Sequence, residues 1–310
     1  MDYLITIVIF CLILFLYLHV FHHLKTSDDL EVYTLKSPSK DKLEEICTIR
    51  QPVLFQYSNN DIFQQFTLPS LKKNQGVFDV SVRKVGDDLY LPILLKEALD
   101  LFVNDKDQNY FSEKNHEFLQ ETGLHKVLRN NDYFLRPPMV SNCGYDICSG
   151  SKNSYTPLRY NLNYRNYLCV TQGQVRIKLI SPIYSRYLYE IKDYDNFEFK
   201  SPINPWEVQK KYERDFNKVK FIEIDLVPGD IIYIPAYWWY SVKYLEMTCS
   251  VMFKYRTYMN TVAISPHLII KMLQKLNVKW DIVNKISNTI TETQSWIKEE
   301  PDGEDEEKKT

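Results

Sequence analysis

Alanine and glycine are scarce: three alanines (Ala98, Ala236, Ala263) and eight glycines in 310 residues. So little glycine, beside 14 prolines without a period, excludes collagen-like and low-complexity chains. Few alanines with abundant Lys, Asn, Ile and Tyr match an AT-rich coding genome, as in large DNA viruses, protists or insect-associated organisms. That bias points to a source, a viral one included, and to no activity. Positive charge is not in excess either. The 38 Lys and Arg against 40 Asp and Glu give a net charge of -2, which excludes the basic footprint of a nucleic-acid binder. The six cysteines (Cys11, Cys47, Cys143, Cys148, Cys169, Cys249) lack a disulfide-framework spacing. No N-x-Ser/Thr sequon occurs, and none of the six histidines lies between residues 126 and 266.

A long apolar run is present. From Tyr3 to Phe21 it gives about 19 mostly apolar residues, close to the ~20 that cross a bilayer as a helix. A cleavable signal peptide would have a basic start, a shorter core and a small-residue cleavage site. Here only Met1-Asp2 precedes the run and His22-His23-Leu24-Lys25 follows it. The expectation is an uncleaved single-pass anchor over residues 1–25 and a polar stem over 26–38. Lys25 on the C-terminal flank, and cysteines without a disulfide-framework spacing, favour a cytosolic main domain.

The rest divides by pattern. Ser39 to Thr48 reads as a short helix with Leu43, Ile46 and Cys47 on one side, and Pro52 to Tyr57 as a buried strand. Leu91 to Phe102 and Glu113 to Leu128 carry apolar residues at helical spacing. Arg159 to Ile180, Phe221 to Leu226, Ile231 to Pro235 and Cys249 to Tyr255 are short β-branched and aromatic runs between turn signals. Several such strands predict a sandwich or barrel. Leu268, Met272, Leu276, Trp280, Val283 and Ile286 then form one apolar stripe in a helical segment over 263–298. It suits packing on the chain's own barrel as well as a homodimer seam. Residues 299–310 read as an acidic, disordered tail.

Two blocks carry a family pattern. The first runs from Ser151 (SKNSYTPLRYNLNYRNYLCVTQGQVRIKLISP) and the second from Phe221 to Val242 (FIEIDLVPGDIIYIPAYWWYSV). With Thr156-Pro157, Asn166, Gly173, Pro182, Pro228-Gly229-Asp230 and Pro235-Ala236-Tyr237-Trp238-Trp239, they resemble the JmjC-type cupin-like domains. The resemblance is strongest to the group containing the asparaginyl hydroxylase of hypoxia-inducible factor, and spans roughly residues 32 to 260. It implies a mainly β fold with flanking helices, a double-stranded β-helix (cupin or jelly-roll) barrel over about 39–262.

The same resemblance implies Fe(II) and 2-oxoglutarate, with a His-x-Asp…His triad leaving open positions on the metal. The matching positions here hold Arg159, Asn161 and Tyr240. Arginine cannot shed its proton to ligate a cation, asparagine offers only a neutral carbonyl, and tyrosine would have to lose its phenolic proton. The position of the family's 2-oxoglutarate lysine is Val175. Lys178 lies three residues on, so it faces the other side of a strand unless a bulge intervenes. Thr156 and Asn166, which in relatives help hold the co-substrate, and Trp239 complete the pocket candidates. The expectation is a membrane-anchored pseudo-oxygenase without metal or cofactor, acting in binding or scaffolding for an unidentified protein partner. Two alternatives stand beside it: a hydroxylase with unorthodox iron ligands, and a pocket that takes an anionic small molecule through Arg159. A buried Arg159 requires either an internal carboxylate or a ligand's anion.

Overall fold

The computed structural model describes residues 2–276. Helix α1 (Asp2–Leu24) comes first and is long and apolar enough to cross a membrane. Residues 26–38, the expected stem, follow. They contain strand β1 (Tyr33–Leu35), which adds in parallel to the edge of β2 (Val53–Gln56). Between them α2 (Lys40–Thr48) starts where the Ser39 hydroxyl accepts from the Lys42 N–H, and it buries Leu43, Ile46 and Cys47.

Helices α3 (Asn60–Gln65) and α4 (Leu68–Gln75) precede the hairpin β3 (Asp79–Lys84) and β4 (Tyr90–Leu94). Helical spacing from Leu91 thus overstated the helix. Leu91 precedes Pro92, a position disfavoured in α conformation, and an edge strand tolerates the missing Pro92 donor. The helix itself is α5 (Leu95–Asn104), followed by β5 (Tyr110–Ser112). The apolar stretch from Glu113 is likewise divided, into α6 (His116–Glu121) and α7 (Leu124–Asn131). Gly123 between them has φ 74°, a left-handed conformation that glycine adopts without penalty.

The β run then follows: β6 (Val140–Gly150), β7 (Arg159–Tyr160), β8 (Arg165–Gln172) and β9 (Val175–Ile180). A short hairpin, β10 (Ile191–Asp193) and β11 (Glu198–Lys200), and helix α8 (Lys210–Phe216) lead onward. Next are β12 (Phe221–Leu226), β13 (Asp230–Pro235), β14 (Trp239–Tyr244), β15 (Thr248–Thr257) and helix α9 (Tyr258–Ala263).

These strands form two sheets. One is ordered β1-β2-β13-β8-β15-β6-β5-β3-β4 and the other β10-β11-β7-β14-β9-β12. Every pairing is antiparallel except β1 with β2. Alternate side chains sort the core. Leu168, Val170, Ile232, Ile234 and Met252 face Val175, Ile177, Leu179, Tyr240, Val242 and Tyr244 between the sheets. Tyr167, Cys169, Ile231, Tyr233, Val251 and Phe253 point the other way and pack with apolar residues of α2 to α7. The result is a two-sheet roll with helices on the outer face of the larger sheet.

Residues 194–197 and 265–276 form a separate unit, in which 265–276 is helical. Met272 and Leu276 of the expected stripe are exposed there. Trp280, Val283, Ile286 and the acidic tail lie outside the described residues.

Candidate functional site

The three motif positions meet at one end of the roll. Arg159 of β7 stands opposite Tyr240 of β14 and Lys200 of β11, so these side chains share the inward face. Asn161, two residues on, donates from Nδ2 to the Tyr240 hydroxyl at 2.9 Å. The Arg159 guanidinium lies 5.7 Å from the centre of the Tyr240 ring.

Arg159 does not face an empty pocket. Its Nη1 donates to Glu113 Oε1 at 2.6 Å and Glu198 Oε1 at 2.8 Å, and its Nη2 donates to Glu113 Oε2. Arg83 of β3 donates to Glu198 Oε2 at 3.0 Å and lies 3.8 Å from Glu113. The Tyr90 hydroxyl donates to Glu113 Oε1 at 2.7 Å. Two arginines and two glutamates, all buried, thereby join strands of both sheets. Burial alone would raise the Glu113 carboxyl, but the Arg159 charge and its hydrogen bonds outweigh it and hold the group well below the ordinary carboxylate range. The same pairing outweighs burial at Arg159 and keeps its guanidinium charged.

This donor set does not suit Fe(II). A facial triad needs anionic or neutral-nitrogen ligands aimed at one point. Where the resemblance places the first ligand stands Arg159, a permanent cation already gripped by two carboxylates. Asn161 presents its N–H to Tyr240, and the Tyr240 oxygen accepts it. No metal-centred step is therefore assigned to this site.

The other candidates disperse. Thr156 accepts the Val242 N–H at its hydroxyl (2.9 Å), while its carbonyl accepts from Ser241 Oγ (2.6 Å); it fastens the approach to β7. Asn166 is fully buried on the inward face and donates to the Ile234 carbonyl at 3.2 Å. Val175 is packed in the core opposite Tyr244, four residues along β9 from the Leu179–Tyr240 pair. That separation is about 13 Å at ~3.3 Å per residue. Lys178 lies on the outer face of its sheet, because β9 runs through Val175–Ile180 without a bulge. Its Nζ donates to the Pro205 carbonyl at 2.7 Å and sits 3.0 Å from Glu223. Trp239 also points outward, donating from Nε1 to Ser185 Oγ at 2.8 Å.

Sequence reasoning missed Glu113, Glu198 and Arg83, and also Lys254 with Asp146. Lys254 stands opposite Asn166 on the inward face, its Nζ 3.5 Å from Asp146. Burial opposes its charge, but Asp146 and the Tyr240 oxygen prevail and raise its affinity for the proton. The one available signal was Arg159 itself: a guanidinium at an inward strand position demands buried carboxylates, though not which ones.

Comparison with known proteins agrees with this architecture. Residues 95–261, more than half of the chain, match the family model described as a cupin-like domain. JmjC domain-containing protein D of Dictyostelium discoideum is 33% identical over 102 residues, 33% of this chain and 22% of its own length. JmjC domain-containing protein C of the same organism is 26% identical over 181 residues, 53% of this chain and 41% of its own. The chain thus spans less than half the length of these curated relatives. With two antiparallel sheets, flanking helices and a match that covers every strand of the roll from β5 to β15, this chain belongs to the cupin-like domain family.

Proposed function

We propose that this protein is a membrane-anchored, JmjC-type cupin-like domain that has exchanged its iron site for an internal ion-pair brace and acts by binding rather than by oxidation. The observation that carries the reading is Arg159, held by Glu113 and Glu198 where the resemblance places the first iron ligand. A dication a few ångströms from that guanidinium, with both carboxylates already engaged, meets repulsion of several kcal/mol at an effective dielectric of about 20. Arg159 is equally ill-placed to capture an anionic small molecule, since Glu113 and Glu198 already hold it. The α1 helix supports the anchor, and the exposed Ile269, Ile270, Met272, Leu273 and Leu276 on residues 265–276 support self-association.

The test is elemental analysis of full-length protein purified anaerobically with added Fe(II), together with a 2-oxoglutarate turnover assay. Iron well below stoichiometry, and succinate no higher than in a heat-treated control, are expected. Arg159→His alone should recover neither, because Asn161 and Tyr240 remain. Stoichiometric iron or sustained succinate formation in the wild type would overturn the reading in favour of a hydroxylase with unorthodox ligands.

A further inference from the structure

We propose that the cavity between the C-terminal end of α1 and the roll binds the phosphate of an anionic phospholipid headgroup. This rests on the anchoring reading above and gives it a specific contact.

The cavity holds about 300 Å³ and is bordered by His23, Glu44, Tyr164, Arg165, Met139 and Tyr258. Arg165 opens β8 on the face turned away from the inter-sheet core, and its side chain is 1% exposed. Its Nη2 donates to Glu44 Oε2 at 2.7 Å, but Nε and Nη1 have no hydrogen-bond partner. Buried guanidinium donors without acceptors are costly, and their fork geometry matches two oxygens of a phosphate.

A second cation, Arg50, lies next to the site but outside the cavity lining. Arg50 and Arg165 flank the Tyr164 ring, their guanidinium carbons 5.8 and 5.3 Å from its centre. Arg50 follows α2 with φ 61°, a left-handed conformation uncommon for a side chain larger than glycine. From there its Nη1 donates to the carbonyls of His22 and Lys25, capping the otherwise unpaired end of α1. Arg50 Nε and Nη2 are unpartnered, as is His23 Nδ1. Glu44 is the one carboxylate lining the cavity and already pairs with Arg165, so the nearby charge of Arg50, outside the lining beside Tyr164, leaves the cleft short of negative charge.

Position identifies the occupant. The 23 residues of α1 reach about 34 Å at 1.5 Å per residue, against a hydrocarbon core of ~30 Å. A span beginning at Tyr3 therefore brings His22, His23 and the cavity beside them to the headgroup layer. Met139 and Tyr258 at the rim are 71% and 59% exposed, giving an apolar lip beside a charged floor. The glycerophosphate of a lipid with net negative charge presents that combination; a free anion supplies only the charged half, and phosphatidylcholine offsets its phosphate with its own quaternary ammonium.

The test uses the full chain in nanodiscs of phosphatidylcholine with or without a one-fifth share of phosphatidylserine. Unfolding is followed by tryptophan fluorescence. Phosphatidylserine should raise the midpoint saturably, by roughly 5 °C or more. The rise should vanish in Arg165→Gln and in Met259→Trp, which fills the cavity while keeping every charge and serves if Arg165→Gln does not fold. It should persist in Arg176→Gln, where the exposed Arg176 pairs with Asp225 on a sheet edge. Equal midpoints in both lipids, or an equal rise in Met259→Trp, would overturn the headgroup site. So would equal stabilisation by millimolar inorganic phosphate in phosphatidylcholine alone. Carbonate washing of vesicles reports the anchor separately: protein retained without any phosphatidylserine effect refutes only the cavity, whereas protein released refutes the anchor and the cavity with it.

Discussion

Replacing Arg159 with Met separates an electrostatic brace from mere packing. Methionine fills much of the same space but leaves Glu113 and Glu198 with one buried cation, Arg83, plus the half-buried Lys114 at 3.9 Å from Glu198. Removing one partner of a buried pair typically costs about 3–5 kcal/mol. Arg83 remains within 3.8 Å of Glu113, so the lower end, about 3 kcal/mol, is expected at pH 7. In a domain of this size that lowers the unfolding midpoint by roughly 6–12 °C. The pH dependence is more diagnostic. In the wild type the Glu113 carboxyl is pulled down from 4.5 to about 2, chiefly because Arg159 outweighs burial. Its contribution is therefore complete above about pH 4.5 and is lost as pH falls toward 2. Without Arg159, burial dominates and raises the carboxyl. The variant should then gain stability as pH falls from 7 to 5, where the Glu113 contribution in the wild type is flat. A simple cavity would show no such slope. Urea titrations of the full chain in micelles at several pH values in that window measure both quantities. A deficit under about 1 kcal/mol at pH 7, or a variant that loses stability toward pH 5, would refute the brace.

Two other predictions test the roll. Gly150→Ala would put its Cβ 2.4 Å from Cδ2 of the buried Tyr244 ring and 2.8 Å from Ser154 Oγ, and should cost about 1–3 kcal/mol. Gly123→Ala meets nothing within 4 Å and should cost only its backbone strain, about 1–2 kcal/mol; equal unfolding temperatures for wild type and both variants would contradict the packing described. Cys47 and Cys249 are buried, which pushes their thiols up to about 11 and about 12, so neither should be alkylated near pH 7 until the protein unfolds. Mass spectrometry after maleimide treatment checks this, with the partly exposed Cys143 as the internal reference.

Much of the architecture was legible because it rests on local rules. β-branched and aromatic runs separated by Gln172-Gly173 and Pro228-Gly229-Asp230 read as strands and turns, and became β8, β9, β12 and β13. Strand alternation put Lys178 outside and the Arg159 side chain inside. Errors arose where a period was ambiguous. Leu91–Leu94 fits a helix face as well as an edge strand, and only pairing with β3 decided between them. Tyr33–Leu35 is too short to declare itself without β2 beside it.

The sequence by itself offered, through its resemblance to the JmjC-type domains, the expectation that Arg159, Asn161 and Tyr240 stand where that family places a metal triad, because a motif is read along the chain. It also determined that α1 is long and apolar enough to span a bilayer, since length and hydropathy are additive along a segment. Which carboxylates neutralise Arg159 was decided only by the tertiary structure. Glu113 and Glu198 lie 46 and 39 residues away and reach it only because β7 and β11 lie side by side in one sheet while β5, just before Glu113, belongs to the other. Arg83, Tyr90 and the cleft around Arg165 follow the same logic. A buried charge dictates that a partner must exist, but the partner's identity depends on long-range strand order, and no local pattern encodes it.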